Sequence, residues 1–407
     1  MTSRERVRTV LAGGIPDRLP GGLGAAVNAG MHVLAYEKLK RILGLSSLPT
    51  RLLSFEANAL FDLEVLRALE CDMVSIGGKL SPSMLYVPGF EREWQPARLW
   101  GQPVSIPASW SLSTEPDGTT WIDGLRWDAI DFNVPTDGPG CRLKCPPGGT
   151  YFDAVPLPGH DPAAHRDPSD YHPPLELPEE VLRRLETSAR WLFENTPFAL
   201  VCDEMINDLQ VAPGGAESWL MRLVDDRGAV DEFLGKAREA SVTQLRGLDQ
   251  AIGPYTEMLM TAHDFGDLRG VQIGAERWRE IYGPHYARWF ADWKATTRMK
   301  ICLHTCGSVV DILPDLVKAG LDVLNPVQVS ARGMDPAVLK ARFGDRLVFY
   351  GGSWDAVGMQ GIVRPEDVQR AVESNILALG AGGGYIFAGV HNIQNLPATH
   401  LEAVMKA

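Results

Sequence analysis

Residues 300–328 read KICLHTCGSVVDILPDLVKAGLDVLNPVQ, and this stretch decides the fold. Its first five residues, 300–304, form a short apolar run of strand character. Residues 309–319 repeat their apolar positions at helical spacing, and Gly320 suits a left-handed helix cap. Residues 323–327 are apolar again. Strand, crossover helix and strand in about 30 residues make a parallel βαβ unit. Working outward, the same alternation recurs. Strand-like runs fall at 19–25, 73–77, 198–202, 258–262, 347–351 and 385–389, with helical segments at 179–194, 275–297, 337–343 and 365–379. Gly344 offers a second left-handed cap. Eight strands in βα alternation point to an α/β fold, a single (β/α)8 TIM barrel, rather than to an open doubly wound sheet. A chain of 407 residues, 45% hydrophobic, accommodates such a barrel with insertions as one domain, 1–407.

One region breaks the rhythm. Residues 79–174 hold 16 of the 29 prolines and five of the 11 tryptophans, so no barrel helix can run there. The alternation in TTWIDGLRW, 119–127, suggests a β-hairpin turning at Asp123-Gly124. As a partly β insertion after the second strand, 79–174 would emerge at the C-terminal face and could act as a lid, or serve packing and partner contacts.

A net charge of −12 with no lysine or arginine run repels phosphate backbones, so nucleic acid is not an expected partner. No apolar stretch approaches the roughly 20 residues of a membrane span. The N-terminal eleven residues read as an amphipathic helix with Arg4, Arg6 and Arg8, not as a secretory signal. Six cysteines form no disulfide framework, and a cytoplasmic setting is expected. Cys71, Cys202 and Cys302 lie in apolar runs and read as buried. The Cys141/Cys145 pair lacks the second pair that a zinc ribbon needs.

In a barrel the chemistry gathers where strands end at their C-terminal face. Polar groups stand at most of those ends: Asp203-Glu204, His263-Asp264, His304-Thr305-Cys306, Asn325 and Gln328, Gly352 to Asp355, and His391-Asn392. His304 and Cys306, two apart on an extended segment, point to one side and can grip one ion. Imidazole and thiolate suit Zn2+, and His391, from the last strand, could supply a third ligand. Glu204, Asp264 and His263 are candidates for proton handling or ligand orientation. Asn325, Gln328, Gly352 and Trp354 are candidates for substrate contact. The glycine at 352 could equally serve a turn, and Trp354 could merely pack.

Four blocks of the sequence resemble the uroporphyrinogen decarboxylase superfamily: SRERV to PDRLP (3–20), LHTCGSVVDILPDLVKAGLDVLNPVQ (303–328), LKARFGDRLVFYGG (339–352) and GGGYIFAGVHNIQNLP (382–397). The resemblance implies a TIM barrel and one of two chemistries. True decarboxylases of that superfamily carry an R-Q-A-G-R motif near the N-terminus, where residues 21–30 here read GGLGAAVNAG. Porphyrinogen decarboxylation is therefore not expected. The H-x-C at His304 and Cys306 is similar to the zinc site of the corrinoid-linked methyltransferase branch. The third ligand of that branch is commonly a cysteine near the chain end. No cysteine follows Cys306, and His391 stands at roughly the matching place. The resemblance thus implies a zinc-dependent methyltransferase moving a methyl group between a small substrate (an ether, amine or thiol) and a corrinoid held by a separate protein. Two rival readings stay open, a lyase acting on a smaller carboxylic acid and a non-catalytic ligand-binding barrel.

Overall fold

The computed structural model describes residues 1–53, 56–77, 90–125, 141–156, 173, 175–203, 215–359 and 361–407. Two short strands, β1 (Arg51–Leu52) and β2 (Ala59–Leu60), precede β3 (Met73–Ile76). The accessory strands follow: β4 (Trp94–Leu99), β5 (Gln102–Pro107), β6 (Ser111–Thr114), β7 (Thr120–Leu125), β8 (Cys141–Cys145) and β9 (Asp153–Pro156). Then come β10 (Ala199–Asp203), β11 (Thr256–Ala262), β12 (Lys300–His304), β13 (Val323–Asn325), β14 (Val348–Tyr350) and β15 (Tyr385–Ile386). The helices are α1 (Ser3–Leu11), α2 (Val33–Ile42), α3 (Leu63–Ala68), α4 (Glu179–Asn195), α5 (Gly215–Asp225), α6 (Arg227–Ile252), α7 (Ala275–Thr296), α8 (Leu313–Ala319), α9 (Pro336–Phe343), α10 (Pro365–Gly380) and α11 (Ala398–Lys406).

β3 and β10–β15 form one parallel sheet in the order β15-β14-β13-β12-β11-β10-β3. Period-two alternation divides its side chains between two cores. Met73, Val201, Met258, Met260, Cys302, Val323, Val348, Tyr350 and Ile386 share the inner core. Val74, Leu200, Leu259, Ile301, Leu303, Leu324 and Phe349 belong to the outer core, against the helices. By the same parity Asp203, His304 and Asn325 fall on the inner side at the last residue of their strands. Val7 and Val10 of α1 join the inner core, and the Arg4 amide bonds the Pro197 carbonyl just before β10. Helix α1 therefore covers the N-terminal end of the barrel, opposite the strand ends that carry the polar groups.

The sheet is barrel-like and incompletely closed. The expected first strand, 19–25, is no ladder strand. Gly21 alone makes isolated parallel bridges, to Phe387 on one edge and to Cys71 on the other. Residues 22–29 turn inward, and Ala25, Ala26 and Ala29 fill the core where an eighth strand would have stood. A buried charge cluster secures this seam. The Asp72 carboxylate, fully buried, accepts from the Arg6 and Arg18 guanidiniums and from the Gly21 amide at 2.5–3.1 Å.

The insertion builds two small sheets, ordered β2-β1-β5-β4 and β6-β7-β8-β9. The first draws on 51–60 as well, upstream of the expected insertion. Asp123-Gly124 is not a hairpin turn. It lies inside β7 at a bulge in the pairing with β8, and the β6–β7 turn is made by Glu115–Gly118, where the Gly118 amide bonds the Glu115 carbonyl. Both devices use an Asx-Gly pair, and only the strand partners distinguish them. Gly320 does adopt the left-handed cap (φ 111°), whereas Gly344 ends α9 in the right-handed region (φ −65°). Among the described residues no helix is long and apolar enough to cross a membrane.

Candidate metal centre

His304 ends β12 facing the barrel interior, Cys306 follows two residues later, and His391 follows β15. Their ligand atoms all lie within 4.8 Å of one another. Cys306 Sγ is 3.3 Å from His304 Nε2 and 3.4 Å from His391 Nε2. Around a tetrahedral Zn2+, with Zn–S and Zn–N near their usual lengths, an S-to-N separation of about 3.6 Å is expected. The two sulfur-to-nitrogen separations thus match to within a few tenths of an ångström.

The surrounding bonds fix these groups. His304 Nδ1–H donates to Asn325 Oδ1 at 2.7 Å, which leaves Nε2 with its lone pair directed at the cluster. Asn325 is itself fixed, fully buried, by donating from Nδ2 to the Tyr350 carbonyl at 3.1 Å. The Cys306 amide donates to Asp264 Oδ1 at 2.8 Å, and the Gly307 amide to Gln328 Oε1 at 2.6 Å. Gly307 sits at φ 81° with its Cα against the Gly266 backbone, so the loops after β11 and β12 interlock with no room for a side chain. Burial, and then the nearby Asp264 and Glu56 charges, push the Cys306 thiol well above its ordinary range. It stays protonated unless a cation arrives, and a bound dication favours the thiolate. His391 stands exposed at the surface, yet desolvation by its neighbours and then the His304 ring lower its pKa, which favours the neutral imidazole that a ligand requires.

The other expected site residues divide. Asp264 lies exposed at the mouth beside Cys306. His263 does not join the cluster. Its ring packs at 4.1 Å from Phe265 and 5.1 Å from Tyr282, and its Nδ1 bonds the Tyr286 hydroxyl at 2.8 Å. Asn325 and Gln328 are engaged with the protein in holding the ligand loop. At Gly352 (φ 95°) a Cβ would meet the Val327 carbonyl oxygen at 2.7 Å, so tight backbone packing accounts for this glycine. Trp354 is buried at 3% exposure; its carbonyl accepts from the Val390 amide, and its indole N–H has no partner among the described residues. Glu204 lies outside the described residues. Cys71, Cys202 and Cys302 are buried, as their apolar surroundings imply.

Two neighbours of the cluster were given no role from the sequence, Asp355, which stood among the strand-end polar groups, and Glu56, which did not. Asp355 is buried, accepts the amides of Ser330, Val357 and Gly358, and acts electrostatically on His391. Glu56 accepts from Asn392, the residue after His391. The insertion reaches this side as well. Thr150 and Tyr151 contact His32, whose neighbour Met31 bridges Ile393.

Comparison with known proteins agrees with this architecture. The family model for uroporphyrinogen decarboxylase (URO-D) matches residues 210–407, a span that contains all three clustered residues. A solved structure, a methyltransferase from Methanosarcina mazei, is similar over 100% of this chain and 98% of its own, with a TM-score of 0.58 and 12% sequence identity. At that identity the likeness speaks for the fold. No curated protein sequence matches the chain.

Proposed function

We propose that the protein is a zinc-dependent methyltransferase, moving a methyl group between a small ether, amine or thiol and a corrinoid carried by a separate protein. The observation that carries this reading is the S-and-two-N cluster of His304, Cys306 and His391 at near-tetrahedral spacing. Three protein ligands are the mark of a zinc site that keeps one position for substrate. Bound there, zinc supplies Lewis acidity to the heteroatom that gives or takes the methyl group. Asn325 holds the His304 tautomer, and Gln328 holds the turn behind Cys306. Asp264, exposed beside the thiol, is placed to take the proton released when a thiol or the Cys306 side chain ionises. Trp354, whose carbonyl holds the Val390 amide just before His391, and Gly352 would contact substrate, and the 79–174 insertion would act as a lid. The Asp264 and Glu56 carboxylates repel an anionic substrate, which favours methyl transfer over a carboxy-lyase. The five cysteines with described side chains are all free, in keeping with a cytoplasmic setting.

The test is metal content by mass spectrometry on protein purified without chelator. About one zinc per chain is expected, lost in Cys306→Ala and His391→Ala, followed by methyl transfer between a methylated corrinoid protein and candidate acceptors. Wild-type protein without metal, refractory to added zinc, would refute the reading.

A further inference from the structure

Glu56 is a carboxylate that nothing in the sequence singled out. It is half-buried, and a single oxygen, Oε2, accepts two side-chain amides: Asn392 Nδ2 at 2.7 Å and Asn58 Nδ2 at 3.0 Å. Both asparagines are buried, at 7% and 1% exposure. Asn392 is pinned from its other end, where Oδ1 accepts the Gly30 amide at 3.2 Å, and the Ile393 amide bonds the Gly30 carbonyl. The backbone after Asn392 is therefore stitched to residues 30–32 at Ile393, while the Asn392 side chain is clamped to Glu56. The residue before it is His391.

Two side-chain N–H donors converge on one oxygen, filling both of its acceptor positions and fixing the Glu56 side chain against both asparagines. The other oxygen, Oε1, has no partner among the described residues.

We infer that Glu56 is a positioning residue of the His304/Cys306/His391 centre, acting through Asn392 to hold the His391 imidazole over Cys306. The inference rests on the cluster's being a metal site. Outer groups of this kind typically change metal affinity 10- to 100-fold.

The test compares wild type, Glu56→Ala, Glu56→Gln, Asn392→Ala and the Glu56→Ala/Asn392→Ala double variant. Zn2+ affinity is read by competition with a chromophoric chelator, and ligand geometry by the visible absorption of the Co2+-loaded protein. Glu56→Ala should weaken zinc binding about 10- to 100-fold and shift the cobalt bands. Glu56→Gln, which keeps an acceptor, should fall between it and wild type. Asn392→Ala should reproduce the loss, and the double variant should be no weaker than the worse single. Wild type that takes up cobalt, with Glu56→Ala unchanged in affinity and spectrum, overturns the role of Glu56 alone. Wild type that takes up neither metal overturns the metal reading, and this inference with it.

Discussion

Replacing Asn325 by alanine removes the acceptor of His304 Nδ1–H and leaves the three candidate ligands in place. Two routes give the size of the effect. Losing the partner of a metal-bound imidazole costs about 10- to 100-fold in affinity, or about 1.4–2.8 kcal/mol. Stranding a buried donor costs about 1–3 kcal/mol. The routes agree because both describe His304 losing its preferred tautomer and ring orientation. His304 is only 5% exposed, so water cannot readily replace the amide. Asn325→Ala also frees the Tyr350 carbonyl, and Asn325→Asp serves as its control. The aspartate loses the same donor to Tyr350 yet offers Nδ1–H a stronger acceptor. Zinc affinity by chelator competition should therefore fall for alanine and hold or rise for aspartate. Alanine binding zinc within about twofold of wild type, well inside the expected range, would refute the argument that Asn325 sets the ligating nitrogen.

Two further outcomes concern the scaffold. Asp72→Ala leaves Arg6 buried without one of its two carboxylates and should lower stability by about 3–5 kcal/mol. A fall in the urea midpoint checks this, and Asp72→Asn, still an acceptor for Gly21, should lose less. The metal-free protein should also lose stability as pH falls. His32 and His285 both have pKa values lowered chiefly by burial, so below about 6.5 the unfolded chain takes up their protons before the folded one does. Stability is thus complete above that pH and declines as pH falls toward the folded-state values. At His32 the proton goes to Nδ1, which caps α2 by accepting the Leu34 amide. Melting temperatures at pH 7.5 and 5.5 should differ less in His32→Asn, which retains a cap without a charge; an equal difference in both would count against the assignment.

The βα alternation was legible because strands covered on both faces read as continuous apolar runs. The run at 300–304 coincides with β12, and the neighbouring strands differ by one to three residues. The seam at Gly21 was not legible. Pro20 has no amide to offer a ladder, and the glycines and alanines that follow suit a turn into the core as well as a strand. The His304/Cys306/His391 cluster was readable from local spacing plus barrel topology. His263 looked equivalent at a strand end, yet Tyr282 and Tyr286, one turn apart on α7, claim its ring. Their spacing was visible in advance, but not the side on which His263 points. Glu56 left no trace because its partner Asn392 lies 336 residues away, and nothing short of the folded chain brings them together.

That separation bears on how the molecule is made. The pairings along the seam join residues 21–31 to 387–393, with contacts as distant as the 366 positions from Gly21 to Phe387, and His391 lies on the later-arriving side. Strands β3 and β10 to β14 can curl on their helices as they leave the ribosome, since each pairs with the preceding strand of the parallel sheet. The seam must wait with an exposed edge until the final βα segment is synthesised. Joining the seam and completing the histidine–cysteine cluster are then one late event, so a chain that stalls before residue 391 can be largely folded and yet hold only His304 and Cys306 of the three.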